Sequence, residues 1–163
     1  MSNDEQQVAA QPSRSIGRGL LAGLAGGVAG TIAMTFANRM FPPRTDDSDQ
    51  DEPTELLAEK IAGHELSPET REFAAEGIEW TLGIAAGAAY GVLAEYYPAA
   101  ASKEGASFGI ALEALTHEKA LPALGLLRPK DDQTFRERAS EMTAFTVYGI
   151  ATEMVRSFVR KRL

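Results

Sequence analysis

Uncharged apolar runs alternate with polar blocks along this chain, and the runs have the length of membrane helices rather than of core strands. Gly19 to Asn38 is twenty residues without a charge, GLLAGLAGGVAGTIAMTFAN. At about 1.5 Å per residue such a helix spans about 30 Å, the thickness of a bilayer's hydrocarbon core. The run predicts a helix over about 16–41, with Arg14 and Arg18 before it and Arg39 and Arg44 after it. A second helix is predicted over 73–97 around the fifteen-residue run Trp80 to Ala94, closed by Pro98, with Trp80, Tyr90, Tyr96 and Tyr97 as interfacial anchors. A third over 104–127 is interrupted by Glu113, His117, Glu118 and Lys119, and Pro122 is expected to kink it or end its regular hydrogen bonding. The fourth, over 135–160, has the uncharged centre Met142 to Thr152 and ends in the basic sequence RSFVRKRL, whose cations suit a helix C-terminus and an anionic leaflet.

The polar blocks read as connections. Residues 1–15 have no apolar periodicity and are expected to form a disordered tail. An acidic loop over 42–72 holds five acids between Asp46 and Glu52, without the spacing of a calcium-binding EF-hand. Within that loop TELLAEKIAG predicts a short amphipathic helix, capped by Thr54, ended by Gly63, and presenting Leu56, Leu57, Lys60 and Ile61 on one face. A cleaved signal peptide is the alternative for the first run, which is longer than a usual signal core.

Glycine spacing adds a packing mode. Gly19, Gly23 and Gly27 recur every four residues, as do Gly83, Gly87 and Gly91, and Gly105 with Gly109 begins a third series, while Gly26 and Gly30 form an overlapping pair. Such glycines line one helix face as a groove into which another backbone fits, a device favoured in lipid. In water each would cost about 1 kcal/mol relative to alanine. Helices packed through glycine zippers are therefore expected, together with self-association.

Composition narrows the function classes. The chain has 163 residues, no cysteine and a net charge of −7. Disulfide scaffolds, thiolate metal sites and cysteine nucleophiles are excluded, and an acidic chain without a basic face is not a nucleic-acid binder. There is no dinucleotide-binding or P-loop glycine pattern, no Gly-x-Ser-x-Gly and no His-Glu-x-x-His, so nothing points to an enzyme and no cofactor is expected.

Several short motifs occur in a suggestive order: the glycine-rich first helix running into Pro42, Pro43 and Arg44; a polar loop; Tyr90, Glu95 and Pro98; the Gly105/Gly109 pair; His117 before Pro122 and Gly125; and Ser140–Glu141 at the start of the last helix. Together they resemble the YagU-like inner-membrane proteins of bacteria over most of residues 16–160. The resemblance implies an integral inner-membrane protein of about four helices, without an established biochemical activity. His117 is the one histidine in a helix, since His64 falls in the acidic loop.

Chemistry, if present, belongs to ionisable residues in the helices, because such groups are costly in lipid unless paired or wet. Glu113 and His117 are four apart and share a helix face, and Glu141, Glu153 and Glu95 are the carboxylates placed to meet them in a bundle. Three roles stay open. The groups end the hydrophobic segments at headgroup depth, or Glu113, His117 and a carboxylate such as Glu141 carry protons or a small solute, or Glu113 and His117 take part in a divalent metal site, without the repeated Glu-x-x-His of four-helix carboxylate proteins.

The sequence thus predicts an all-α multi-pass protein of about four transmembrane helices, in one domain over 16–163, with the lipid bilayer as partner. With seven cations on one side and eight on the other, loop charge does not orient it. The dense C-terminal cluster leads us to expect both termini in the cytoplasm. A soluble or peripheral helical bundle acting as an interaction module is the alternative.

Overall fold

The computed structural model describes residues 14–42, 53–125 and 135–163, and among these there is no strand. Helix α1 is Ile16–Met40, α2 Pro53–Ala62 and α3 Pro68–Tyr96. A 3₁₀ segment, Pro98–Gly105, leads into α4, Ala106–Leu115, which continues as a π-helix, Thr116–Ala120, and a final turn, α5, Leu121–Ala123. Helix α6 is Phe135–Arg160.

Local chemistry sets these boundaries. The Ser15 hydroxyl accepts from the Arg18 amide and caps α1. Helix α3 begins five residues before the expected 73, because Ser67 and Pro68 supply an N-cap position and a first-turn proline. Its charged first turn is held by Arg71, whose guanidinium donates to Glu59 on α2 at 2.6 Å. Gly63, with φ +76°, ends α2 as expected, but the buried contact of α2 is Ala58, whereas Ile61 stays 72% exposed.

The third helix departs most from expectation. Instead of one helix over 104–127, the chain turns through the 3₁₀ segment, and Gly105, at φ +84°, starts α4. Pro122 has no N–H to offer, and its ring crowds the carbonyl four residues back. The helix widens to π there, over Thr116–Ala120. Residues 126–127 of that expected helix, the tail 1–13, and 43–52 of the acidic loop lie outside the described residues.

α1 is the central element, with α3 on one side and α6 on the other, both antiparallel to it. Gly19, Gly23 and Gly27 of α1 face Gly91, Gly87 and Gly83 of α3 in reciprocal order. A Cβ on Gly23 would lie 2.9 Å from the Gly91 Cα, and one on Gly87 2.6 Å from the Gly27 amide nitrogen, so the two backbones touch. On the second face Gly26 meets Thr152, and Gly30 meets Thr152 and Tyr148 of α6. Helix α4 runs antiparallel to α6, Gly105 and Gly109 lying against Gly149 and the Phe145 backbone. The N-terminus of α1 and the C-termini of α3 and α6 therefore share one end of the bundle.

By length and composition two of the described helices, α1 and α3, are long and apolar enough to cross a membrane, where the sequence led us to expect four. α4 has only ten residues. α6 has the length, 26 residues, but carries charges at both ends of its short uncharged centre.

Candidate functional site

Two polar clusters lie at opposite ends of α6. At the end shared by the start of α1 and the end of α6, Glu153 of α6 accepts from two nitrogens of the Arg156 guanidinium, at 2.6 and 2.7 Å, and from the Tyr90 hydroxyl of α3 at 2.8 Å. Glu153 and Arg156 are each 8% exposed, and Tyr90 2%. The Tyr90 ring stacks on Phe108 of α4 with centroids 4.0 Å apart, and Phe108 in turn touches Tyr148. One turn further out, Arg160 of α6 clamps Glu95 of α3 through two nitrogens, and the Ser15 amide also donates to Glu95. The ends of α1, α3 and α6 are thus tied at a single carboxylate. Glu153 is paired with Arg156 and Glu95 with Arg160, so the cluster fastens helices.

The second cluster sits near the start of α6. The π-helical turn carries His117, whose Nε2 lies 3.5 Å from Glu141 Oε2 of α6 and whose Nδ1 lies 3.9 Å from Glu113 Oε1 of α4. The three side chains are 16%, 20% and 19% exposed, partly shielded yet reachable from outside. Phe145 stands edge-on to the imidazole, with ring centroids 5.7 Å apart. His117 Nδ1 is buried without a hydrogen-bond partner. One ligand-type atom from each residue fits within 4.8 Å of the others, the spread that a common cation could draw together.

Of the five ionisable candidates in the sequence, Glu113, His117 and Glu141 come together, whereas Glu95 and Glu153 lie at the other end with Arg160 and Arg156. Glu141 and Glu153 are twelve residues apart on α6, about 18 Å of helix, and Phe145, Tyr148 and Phe108 fill the level between them. The sequence pattern places Arg156 and Arg160 in a basic helix end and Tyr90 at an interface, whereas in the structure Arg156 and Tyr90 are buried and Arg160 turns to Glu95. The available signal was a stripe on α6: Glu141, Phe145, Tyr148, Thr152, Arg156 and Arg160 recur at spacings of three and four, one helix face.

Residues 28–154 match the family described as Protein of unknown function (DUF1440). That is most of the chain, and the protein belongs to this family. No curated protein matches, and no solved structure matches.

Proposed function

We propose that this chain is an integral, multi-pass protein of the bacterial inner membrane, of the YagU-like type, with both termini in the cytoplasm and a non-enzymatic role. The observation that carries this reading is the inverted distribution of side chains. Every buried apolar side chain among the described residues is alanine or tyrosine, while Glu95, Glu153 and Arg156 are buried with them. Leu20, Leu21, Val28, Ile32 and Phe36 of α1 and Leu82 and Leu93 of α3 point outward. In water the large aliphatic groups would form the core. In lipid they belong on the outside, with glycine contacts and polar pairs between the helices. The apolar stretches of α1 and α3 are only 39% and 22% buried within the chain, unlike the core helix of a soluble protein.

Packing extends the proposal to α6. It lies along α1 and so shares its depth. Its inner charges, Glu153 and Arg156, neutralise each other, and its outer side carries Met142, Met154 and Phe158. A window of composition counts those charges as though they faced lipid. The segment from Pro98 through α5 then returns along α6 as the remaining pass.

Within that scaffold the Glu113–His117–Glu141 cluster is the place for exchange of protons or a small cation at one membrane face. The aromatic layer of Phe108, Phe145 and Tyr148 separates it from the other cluster and favours a one-sided site over a through-path. The glycine grooves are filled within the chain, so self-association would use other faces.

Fractionation of the intact protein tests the membrane reading. It is expected to stay with membranes through an alkaline carbonate wash and to dissolve in detergent. Release by carbonate would overturn it in favour of a peripheral or soluble bundle.

A further inference from the structure

We propose that Glu113, His117 and Glu141 form a binding site for one divalent transition ion of the Zn²⁺ type. The site deepens the role given above to this cluster, but it does not depend on the chain crossing a membrane.

The donor set favours such an ion. An imidazole nitrogen with two carboxylate oxygens suits borderline ions, Zn²⁺ above all, which bind His at about 2.0–2.1 Å and carboxylate at about 2.0–2.2 Å. Mg²⁺ and Ca²⁺ want six or more oxygens, and a ring nitrogen offers them nothing. Tetrahedral ligands at these lengths stand about 3.4 Å apart. One imidazole nitrogen and one oxygen of each carboxylate already lie within 4.8 Å of one another, so an ion has to draw them together by about 1.4 Å at most. Three protein ligands leave a coordination position for water or a passing anion.

The surroundings point the same way. His117 Nδ1 is buried and lacks a hydrogen-bond partner, a cost that an ion or an ordered outer carboxylate relieves. The π-helical widening at Thr116–Ala120 sets His117 between α4 and α6, and such widenings recur at functional sites. Partial exposure of all three side chains gives an ion a way in.

The full-length protein, purified without a polyhistidine tag and stripped with chelator, is titrated with ZnCl₂ by calorimetry in the presence of excess Mg²⁺. One equivalent per chain is expected. His117→Ala and Glu141→Gln should each weaken binding at least about tenfold, while His64→Ala, which alters an exposed histidine in the α2–α3 connection, leaves it unchanged. Co²⁺ serves as a spectroscopic probe: visible d–d bands are expected in the unaltered protein and lost in Glu113→Gln at unchanged helical circular dichroism. Equal Zn²⁺ affinity with and without His117, displacement by Mg²⁺, or absence of Co²⁺ bands would each overturn the site. Carbonate extraction is unaffected by these results, so failure here and failure of the membrane reading are separable.

Discussion

Tyr90 on α3 donates a 2.8 Å hydrogen bond to Glu153 on α6, joining two helices that each pack on α1 rather than on one another. The same carboxylate takes both nitrogens of Arg156. A buried ion pair of this kind contributes little net stability while it is intact, because desolvation offsets the attraction. Breaking it by removing one partner is another matter, since the remaining charge has nowhere to go.

Arg156→Met should therefore destabilise the protein by about 3–5 kcal/mol, by leaving Glu153 buried without its cationic partner. Tyr90→Phe removes one hydrogen bond to a charged acceptor and should cost about 1.5–3 kcal/mol. The double change Glu153→Leu with Arg156→Met should recover most of the loss. Thermal unfolding in detergent, followed by tryptophan fluorescence from Trp80, checks all three. If Arg156→Met melts like the unaltered protein, the pair is not buried as described.

The glycines give a contrast inside one helix. At Gly87 of α3 a Cβ would meet backbone atoms of Gly27 and Gly23, and backbone cannot swing aside. Gly87→Ala should lose about 1–3 kcal/mol as α1 and α3 are forced apart. At Gly77 of the same helix nothing lies within 4 Å. Gly77→Ala should gain about 1 kcal/mol from helix propensity alone. Opposite shifts in melting temperature are expected, and shifts of the same sign would count against the α1–α3 contact.

Much of this architecture was legible because periodicity and glycine spacing are local properties. The limits of α1 and α6 follow from where charge stops and starts, and the four-residue glycine repeats mark the faces that meet. The partners of those faces were not legible. Nothing local says that Gly105 and Gly109 meet Gly149, or that Arg156 turns inward to Glu153 and not outward to headgroups. Hydropathy averaging hid the same fact for α6, since it counts a charge without its direction. The meeting of Glu113 with His117 could be read from their spacing, whereas the arrival of Glu141 depends on how α4 returns along α6. The π-helix depends on Pro122 acting backwards on the turn before it, an effect that residue-by-residue propensity does not contain.

Outside the long helices, Glu59 supplies a pH response. The Leu66 amide donates to its carboxylate at 3.2 Å and Arg71 at 2.6 Å, and these hold its pKa below the usual carboxylate value. A depressed folded-state pKa means that the unfolded chain binds the proton more readily. The contact therefore supports the α2–α3 connection above the ordinary glutamate range, and that support fades as pH falls through the lowered value. Hydrogen exchange at the Leu66 amide, corrected for intrinsic rate, should accelerate on acidification below the ordinary glutamate range. In Glu59→Gln that acid-induced step should vanish. Its persistence in the variant would assign it to another group.

The Glu95 knot constrains topology, because Ser15 at the start of α1 and Arg160 at the end of α6 contact one carboxylate. Both ends of the described chain consequently lie on the same side of whatever the helices cross, and the α2–α3 connection lies on the opposite side. The natural absence of cysteine makes this directly measurable with single-cysteine variants. Arg14→Cys and Lys161→Cys, at exposed positions beyond the helix ends, and Glu65→Cys in the α2–α3 connection each report one location. A membrane-impermeant maleimide applied to intact spheroplasts should modify Glu65→Cys and spare the other two, with all three reacting after permeabilisation. Unlike reactivity at 14 and 161 would contradict the shared end of the bundle. Labelling of all three only after permeabilisation would mean that the helices do not cross the membrane, even though the bundle itself could still be folded as described.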